Sequence, residues 1–93
     1  MKGFFKMTEK NRISDIIAIT GGKDTIYYPK KLLARRDICD NAKFIFACTL
    51  TDYNTLTLEE FSNKLISIGE KSDSKRTKRD LCKLAGQVEM ILE

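Results

Sequence analysis

The sequence predicts an α+β domain, and three observations carry that expectation. Two β-favouring runs near the start are separated by a Gly-Gly pair, three apolar periodicities of helical spacing follow, each behind a capping residue, and a last β-favouring run occupies 88–92. Strands at the two ends with helices between them segregate the two kinds of element, as α+β folds do.

Residues 13–20 are rich in isoleucine and read as a first strand, and 25–28 read as a second. Gly21, Gly22, Lys23 and Asp24 lie between them, and Gly-Gly suits the positive φ angles of a tight hairpin turn. Pro29 has no amide hydrogen for a ladder, so it should stop the second strand or lie at its edge. Leu32 and Leu33 then lead towards a first helix over 41–53, with Asp40 as its cap. Ala42, Ile45, Phe46, Thr49 and Leu50 recur at i, i+3, i+4, i+7 and i+8, which makes one buried face. Phe44, Ala47 and Cys48 widen the apolar surface, so this helix should be central, with Phe44, Phe46 and Phe61 in the core.

A second helix opens on a capping box, in which Thr57 caps a first-turn amide and Glu60 reaches back to the amide of Thr57. Leu58, Phe61, Leu65 and Ile68 form its apolar stripe, and Gly69 is placed to end it in a left-handed cap. After a short polar link, Ser74 caps a third helix that runs to Ala85 and stops at Gly86. Thr77, Leu81, Leu84 and Ala85 face inward, while Lys75, Arg76, Arg79 and Lys83 fall in another sector about 100° wide. The strand at 88–92 needs a partner, and the amino-terminal hairpin supplies one, giving a three-stranded sheet.

Composition bounds the function. Ninety-three residues make a single domain, 1–93, in which 1–12 reads as a flexible basic arm. No apolar run reaches the roughly 18 residues needed to cross a bilayer, so neither a membrane nor a signal peptide is expected. Cys39, Cys48 and Cys82 lack CxxC spacing and the chain has no histidine, which points to reduced, buried thiols in a cytoplasmic protein without a metal or other cofactor. The absence of histidine also removes the usual general base, no glycine-rich phosphate loop is present, and an enzyme acting on a small-molecule substrate is not expected. The net charge of +4 is unevenly spread: 1–12 carry +3, 30–36 carry +4 and 71–83 carry +4, whereas 37–70 carry −4. Basic blocks that converge on one surface would suit a polyanion, although a solvated surface would give the same count.

Two helices joined by a short turn, the second basic outward and leucine-rich inward, meet the requirements of a helix-turn-helix. The stretch from Tyr28 to Leu92 resembles a winged helix-turn-helix family of plasmid and phage replication, transfer and regulatory proteins. The resemblance is carried by Pro29-Lys30-Lys31-Leu32-Leu33, by 38–47, by Thr57-Leu58-Glu59-Glu60-Phe61 with Leu65 and Gly69, and by 74–84 followed by Gly86. It implies that 74–85 is the recognition helix and that Lys75, Arg76, Arg79 and Lys83 meet DNA. The usual carboxy-terminal wing is missing here, and the hairpin tip with Gly22 and Lys23 would stand in for it.

The expected function is therefore sequence-specific binding of double-stranded DNA by a homodimer, as an accessory or regulatory protein at repeats in a plasmid transfer or replication origin. Lys30, Lys31, Arg35 and Arg36 would contact phosphates or form a solvated collar. Tyr27, Tyr28 and Tyr53 would stack on bases or, more commonly for tyrosine, pack with wet hydroxyls. The basic helix contains no aromatic residue, which disfavours RNA. The alternative is a module that uses this fold to dock on another protein and regulate a host or plasmid enzyme.

Overall fold

The protein folds as six helices in a computed structural model that describes residues 12–20 and 26–92: α1 (Ile13–Thr20), α2 (Lys30–Leu33), α3 (Asp40–Asp52), α4 (Leu58–Glu70), α5 (Lys75–Ala85) and α6 (Val88–Leu92). Among the described residues there is no sheet, and the expected α+β winged helix-turn-helix is corrected to an all-α arrangement. An isolated β-bridge pairs Arg12 with Thr57.

Residues 13–20 form a helix, not the first strand of a hairpin. Ile13, Ile16 and Ile17 have helical spacing, with Ile13 and Ile17 buried and Ile16 packed beside them. The helix penalty for isoleucine is only a few tenths of a kcal/mol per residue. Burying an isoleucine side chain gains about 1.5–3 kcal/mol. Tertiary burial therefore overrides local β preference. The start of α1 is pinned to the turn after α3, where Ile13 N donates to Leu56 O at 2.8 Å and Arg12 Nη1 to Thr55 O at 2.9 Å.

The expected turn with Gly22 and Lys23 lies outside the described residues. Tyr27 and Tyr28, expected in a second strand, belong to an irregular stretch that leads into α2, and Tyr27 N donates to Thr51 Oγ1 of α3 at 3.0 Å. Pro29 supplies a φ of −62° at the N-cap of α2, and its carbonyl accepts from Leu32 N and Leu33 N. Leu32 is fully buried, whereas Leu33 is exposed.

α3 keeps its expected core face in Ala42, Phe46, Thr49 and Leu50. Its N-cap is Cys39, and Asp40 is the first helical residue, so Asp40 is not the cap. Phe44 is 50% exposed and is not part of the core. α4 has the capping box: Thr57 Oγ1 accepts from Glu60 N at 3.1 Å, and Glu60 Oε1 accepts from Thr57 N at 3.0 Å. Gly69 does not end the helix, because α4 continues through Glu70 to a right-handed cap at Lys71. α5 begins as expected, with Ser74 Oγ accepting from Thr77 N at 3.2 Å.

Residues 88–92 form α6 and not the expected strand. Val88, Ile91 and Leu92 have i, i+3, i+4 spacing and are buried, and Gly86 keeps a right-handed φ of −84°, so the chain turns straight into another helical segment. With both ends helical, neither the sheet nor the relocated wing can form from the described segments.

The core is centred on Phe46 of α3 and Phe61 of α4, whose rings meet edge to face at 5.2 Å and 86°. Leu32, Leu50, Leu65, Leu81, Leu84 and Leu92, all buried, bring α2, α3, α4, α5 and α6 to the same centre. Because both phenylalanines are wholly buried, Phe46→Ala is expected to cost about 3–5 kcal/mol of unfolding free energy. Urea denaturation checks this, and a loss below 1 kcal/mol would place Phe46 outside a packed core.

Candidate nucleic-acid interface

α4 and α5 are joined by the turn 71–74. The turn is closed by Lys71 N donating to Ile68 O at 3.1 Å, Ser72 N to Gly69 O at 3.0 Å and Ser74 N to Ser72 Oγ at 3.2 Å. The two helices approach closely at Gly69, where a methyl group would lie 3.4 Å from Leu81 Cβ and 3.5 Å from Lys78 Cα.

α5 is divided sharply. Thr77, Asp80, Leu81, Leu84 and Ala85 are buried, whereas Lys75, Arg76, Lys78, Arg79, Cys82 and Lys83 are exposed. At 100° per residue the exposed group covers a sector of about 160° running from Lys78 through Cys82, Lys75 and Arg79 to Arg76. The expected Lys75, Arg76, Arg79 and Lys83 therefore share one face. Lys78 belongs to it too and was missed by the sequence reading, although the same helical wheel places it next to Lys75. The first turn of α5 has no acidic residue to favour the helix dipole, while that of α4 has Glu59 and Glu60. The basic residues at this end of α5 thus work against helix stability.

Behind the face lies Asp80, a fully buried carboxylate. Its Oδ2 accepts from Cys39 N at 2.8 Å and from Arg76 Nε at 3.2 Å. Its Oδ1 has no hydrogen-bond partner, and Arg79 Nε stands 3.8 Å away, an ion-pair distance too long for a hydrogen bond. Burial works to raise the Asp80 carboxyl, but the Cys39 amide, the Cys39 thiol and the Arg76 guanidinium outweigh it and hold it below its ordinary value. Thr77 adds a second tie to α3, since its Oγ1 accepts from Asn41 Nδ2 at 3.1 Å.

A second acidic anchor sits at the other end of α5. Arg35 holds Asp37 through Nε at 2.9 Å and Nη2 at 2.8 Å, Lys83 Nζ reaches the same carboxylate at 3.4 Å, and Arg35 Nη1 donates to Gln87 Oε1 at 2.6 Å. The Arg35 hydrogen bonds, with help from Lys83, keep the Asp37 carboxyl far below the usual range. The structure therefore joins Arg35 to the α5 face through Lys83, with one negative charge between them. Arg36 is exposed beside this cluster in sequence. Lys30 and Lys31 are exposed on α2, where Lys31 Nζ donates to Met90 O of α6 at 3.3 Å; no hydrogen bond or ion pair among the described residues ties either lysine to α5. Lys23 and Gly22 lie outside the described residues.

The tyrosines are dispersed. Tyr27 and Tyr28 are half-buried beside α3, and burial, then Cys48 and Asp40, raises the Tyr28 hydroxyl. Tyr53 is exposed under the Lys64 ammonium, 4.3 Å from its ring centre. The cysteines also depart from expectation, since Cys39 and Cys48 are only partly buried and Cys82 is exposed. No group of three or more His, Cys, Asp and Glu side chains among the described residues could hold a metal ion, and no helix there is long and apolar enough to cross a membrane.

No protein-family model matches this chain, and no curated protein or solved structure is significantly similar to it.

The bonds to Asp80 predict a pH-dependent contribution to stability. A carboxyl whose folded pKa is lowered stabilises the fold above its unfolded value of about 3.9, and that stabilisation disappears as the pH falls through the folded pKa. Asp80→Ala is expected to cost about 1.5–3 kcal/mol at pH 7, the range for a hydrogen bond to a charged group. Urea denaturation of wild type and Asp80→Asn between pH 7 and pH 2 should show a stability gap that is constant near neutrality and narrows in acid. A gap that does not change with pH would deny the carboxylate charge this role.

Proposed function

We propose that the protein binds double-stranded DNA, laying α5 in the major groove while α4 braces it against the backbone. The division of α5 into a buried apolar side and an exposed basic side, immediately after a capped helix and a four-residue turn, carries this reading. Lys75, Lys78 and Lys83 would meet phosphates, and Arg76 and Arg79 would meet base edges. Lys75 and Lys78 have no acidic partner among the described residues, so they can exchange solvent counterions for phosphate without breaking an internal ion pair. Arg35 and Arg36 would extend the phosphate contacts beyond the end of α5. The wing is no part of this reading.

An eleven-residue helix is about 16 Å long and reaches few base pairs. Useful specificity would then come from two copies on repeated or symmetric half-sites, so we take the binding unit to be a homodimer.

Fluorescence anisotropy with random duplexes over a series of salt concentrations tests the proposal. Five phosphate-facing cations per copy, Lys75, Lys78, Lys83, Arg35 and Arg36, predict that log K for each bound copy falls against log salt with a slope of about −4 to −5, and Lys78→Ala should make that slope shallower by about 1. Light scattering should find two copies per bound site. The absence of duplex affinity at low salt would overturn the reading in favour of a protein-docking module, and full affinity from a single bound monomer would remove the dimer.

A further inference from the structure

The buried carboxylate of Asp80 is more than a structural tie. Its Oδ2 takes Arg76 through Nε, the inner nitrogen of the guanidinium, at 3.2 Å, and the Arg76 side chain is 53% exposed. The terminal nitrogens Nη1 and Nη2 of Arg76 make no hydrogen bond among the described residues, and they form the fork that matches two parallel acceptors. Arg79 also turns its Nε towards the same carboxylate, at 3.8 Å from Oδ1, with its side chain 71% exposed. Oδ1 is the buried oxygen without a hydrogen-bond partner, so it has the capacity to accept from Arg79 Nε once that arginine closes in. One inward carboxylate thus faces the inner nitrogens of two outward arginines.

Resting on the DNA-binding reading, we infer that Asp80 is a positioning residue for base recognition: it holds Arg76 and Arg79 so that their terminal forks present to the O6 and N7 acceptors of two neighbouring guanines in the major groove. Guanine is the base whose major-groove edge offers two adjacent acceptors to such a fork. The two arginines are three residues apart on α5, about 4.5 Å along its axis, close to the spacing of about 3.4 Å between successive nucleotides of one strand. Asp80 itself is anchored from the other side by Cys39 N at 2.8 Å, and Thr77, one turn earlier, is fixed by Asn41. The carboxylate is therefore held in place before DNA arrives. For Arg76, side-chain freedom that a fully solvated arginine would lose on binding is already reduced.

The test begins with selection of bound sequences from random duplexes, followed by anisotropy on the selected duplex with each guanine replaced in turn by 7-deazaguanine, which lacks the N7 acceptor. Wild type should enrich two neighbouring guanines per half-site and lose roughly tenfold in affinity at each replacement. Asp80→Asn keeps an oxygen for the Cys39 amide and a similar volume, and far-UV circular dichroism reports whether the helices persist. With the fold retained, this variant should show no 7-deazaguanine penalty at either position, whereas a purely structural role would weaken all duplexes alike and leave the penalty in place. Should Asp80→Asn unfold, Arg76→Lys and Arg79→Lys decide the matter, each expected to remove the penalty at one guanine because an ammonium has no fork. Enriched sequences without guanine, or a penalty that survives these substitutions, would overturn the inference while leaving DNA binding intact. No duplex binding at low salt would overturn both.

Discussion

The arrangement of the last three long helices depends on a negative charge sealed between α3 and α5. An isolated carboxylate in a protein interior is costly, and Asp80 is tolerated because Cys39 N, Arg76 and the more distant Arg79 converge on it. Its position is also electrostatically apt. Cys39 is the N-cap of α3 and offers no side-chain cap of its own, so the positive end of α3 receives its anion from another helix. A bond that spans 41 residues of sequence thus fixes how α5 sits on α3. The turn 71–74 determines only that α5 follows α4 closely.

This anchor makes the basic face uneven in stiffness. Arg76, Arg79 and Lys83 are each within ion-pair distance of Asp80 or Asp37, and Arg35 joins Lys83 on the second carboxylate. Lys75 and Lys78 have no such partner among the described residues. Long-range attraction of a polyanion needs only charge and is served well by mobile lysines, whereas discrimination between bases needs a planar fork held at one angle. On the proposed DNA-binding reading, the unpaired Lys75 and Lys78 would serve the first need and the arginines beside Asp80 the second.

The helical middle of the chain was legible because its signals are local. The Thr57–Glu60 box, the Ser74 cap and the 3.6-residue spacing of α3, α4 and α5 each lie within a few residues of sequence, and the structure contains all of them. Residues 13–20 and 88–92 were misread because isoleucine and valine have high strand preference in short runs, where periodicity is hardest to read. In both segments i, i+3, i+4 spacing was present and decided the outcome through burial. Asp40 looked like a cap from its sequence position alone, yet the first turn of α3 starts one residue earlier because Asp80 serves the Cys39 amide. Nothing near Asp40 or Cys39 in sequence announces that partner. The basic face was legible for the same reason that α5 was, and Lys78 was lost only by drawing its sector too narrowly.

Gly69 shows how one residue can support two readings with different consequences. As a helix terminator it would have swung the chain away from α4 before the turn. Inside α4 it instead lies against α5, where an added methyl group would meet Leu81 and the backbone of Lys78 at ordinary contact distance. That close crossing places the α carbon of Lys78 against α4 while its side chain remains exposed. In a helix-turn-helix the first helix of the pair runs across the sugar-phosphate backbone as the second enters the groove. On the proposed DNA-binding reading, a lysine rooted at the crossing of the two helices would stand where a phosphate passes. The same packing that hides Leu81 from water gives Lys78 its position on the face.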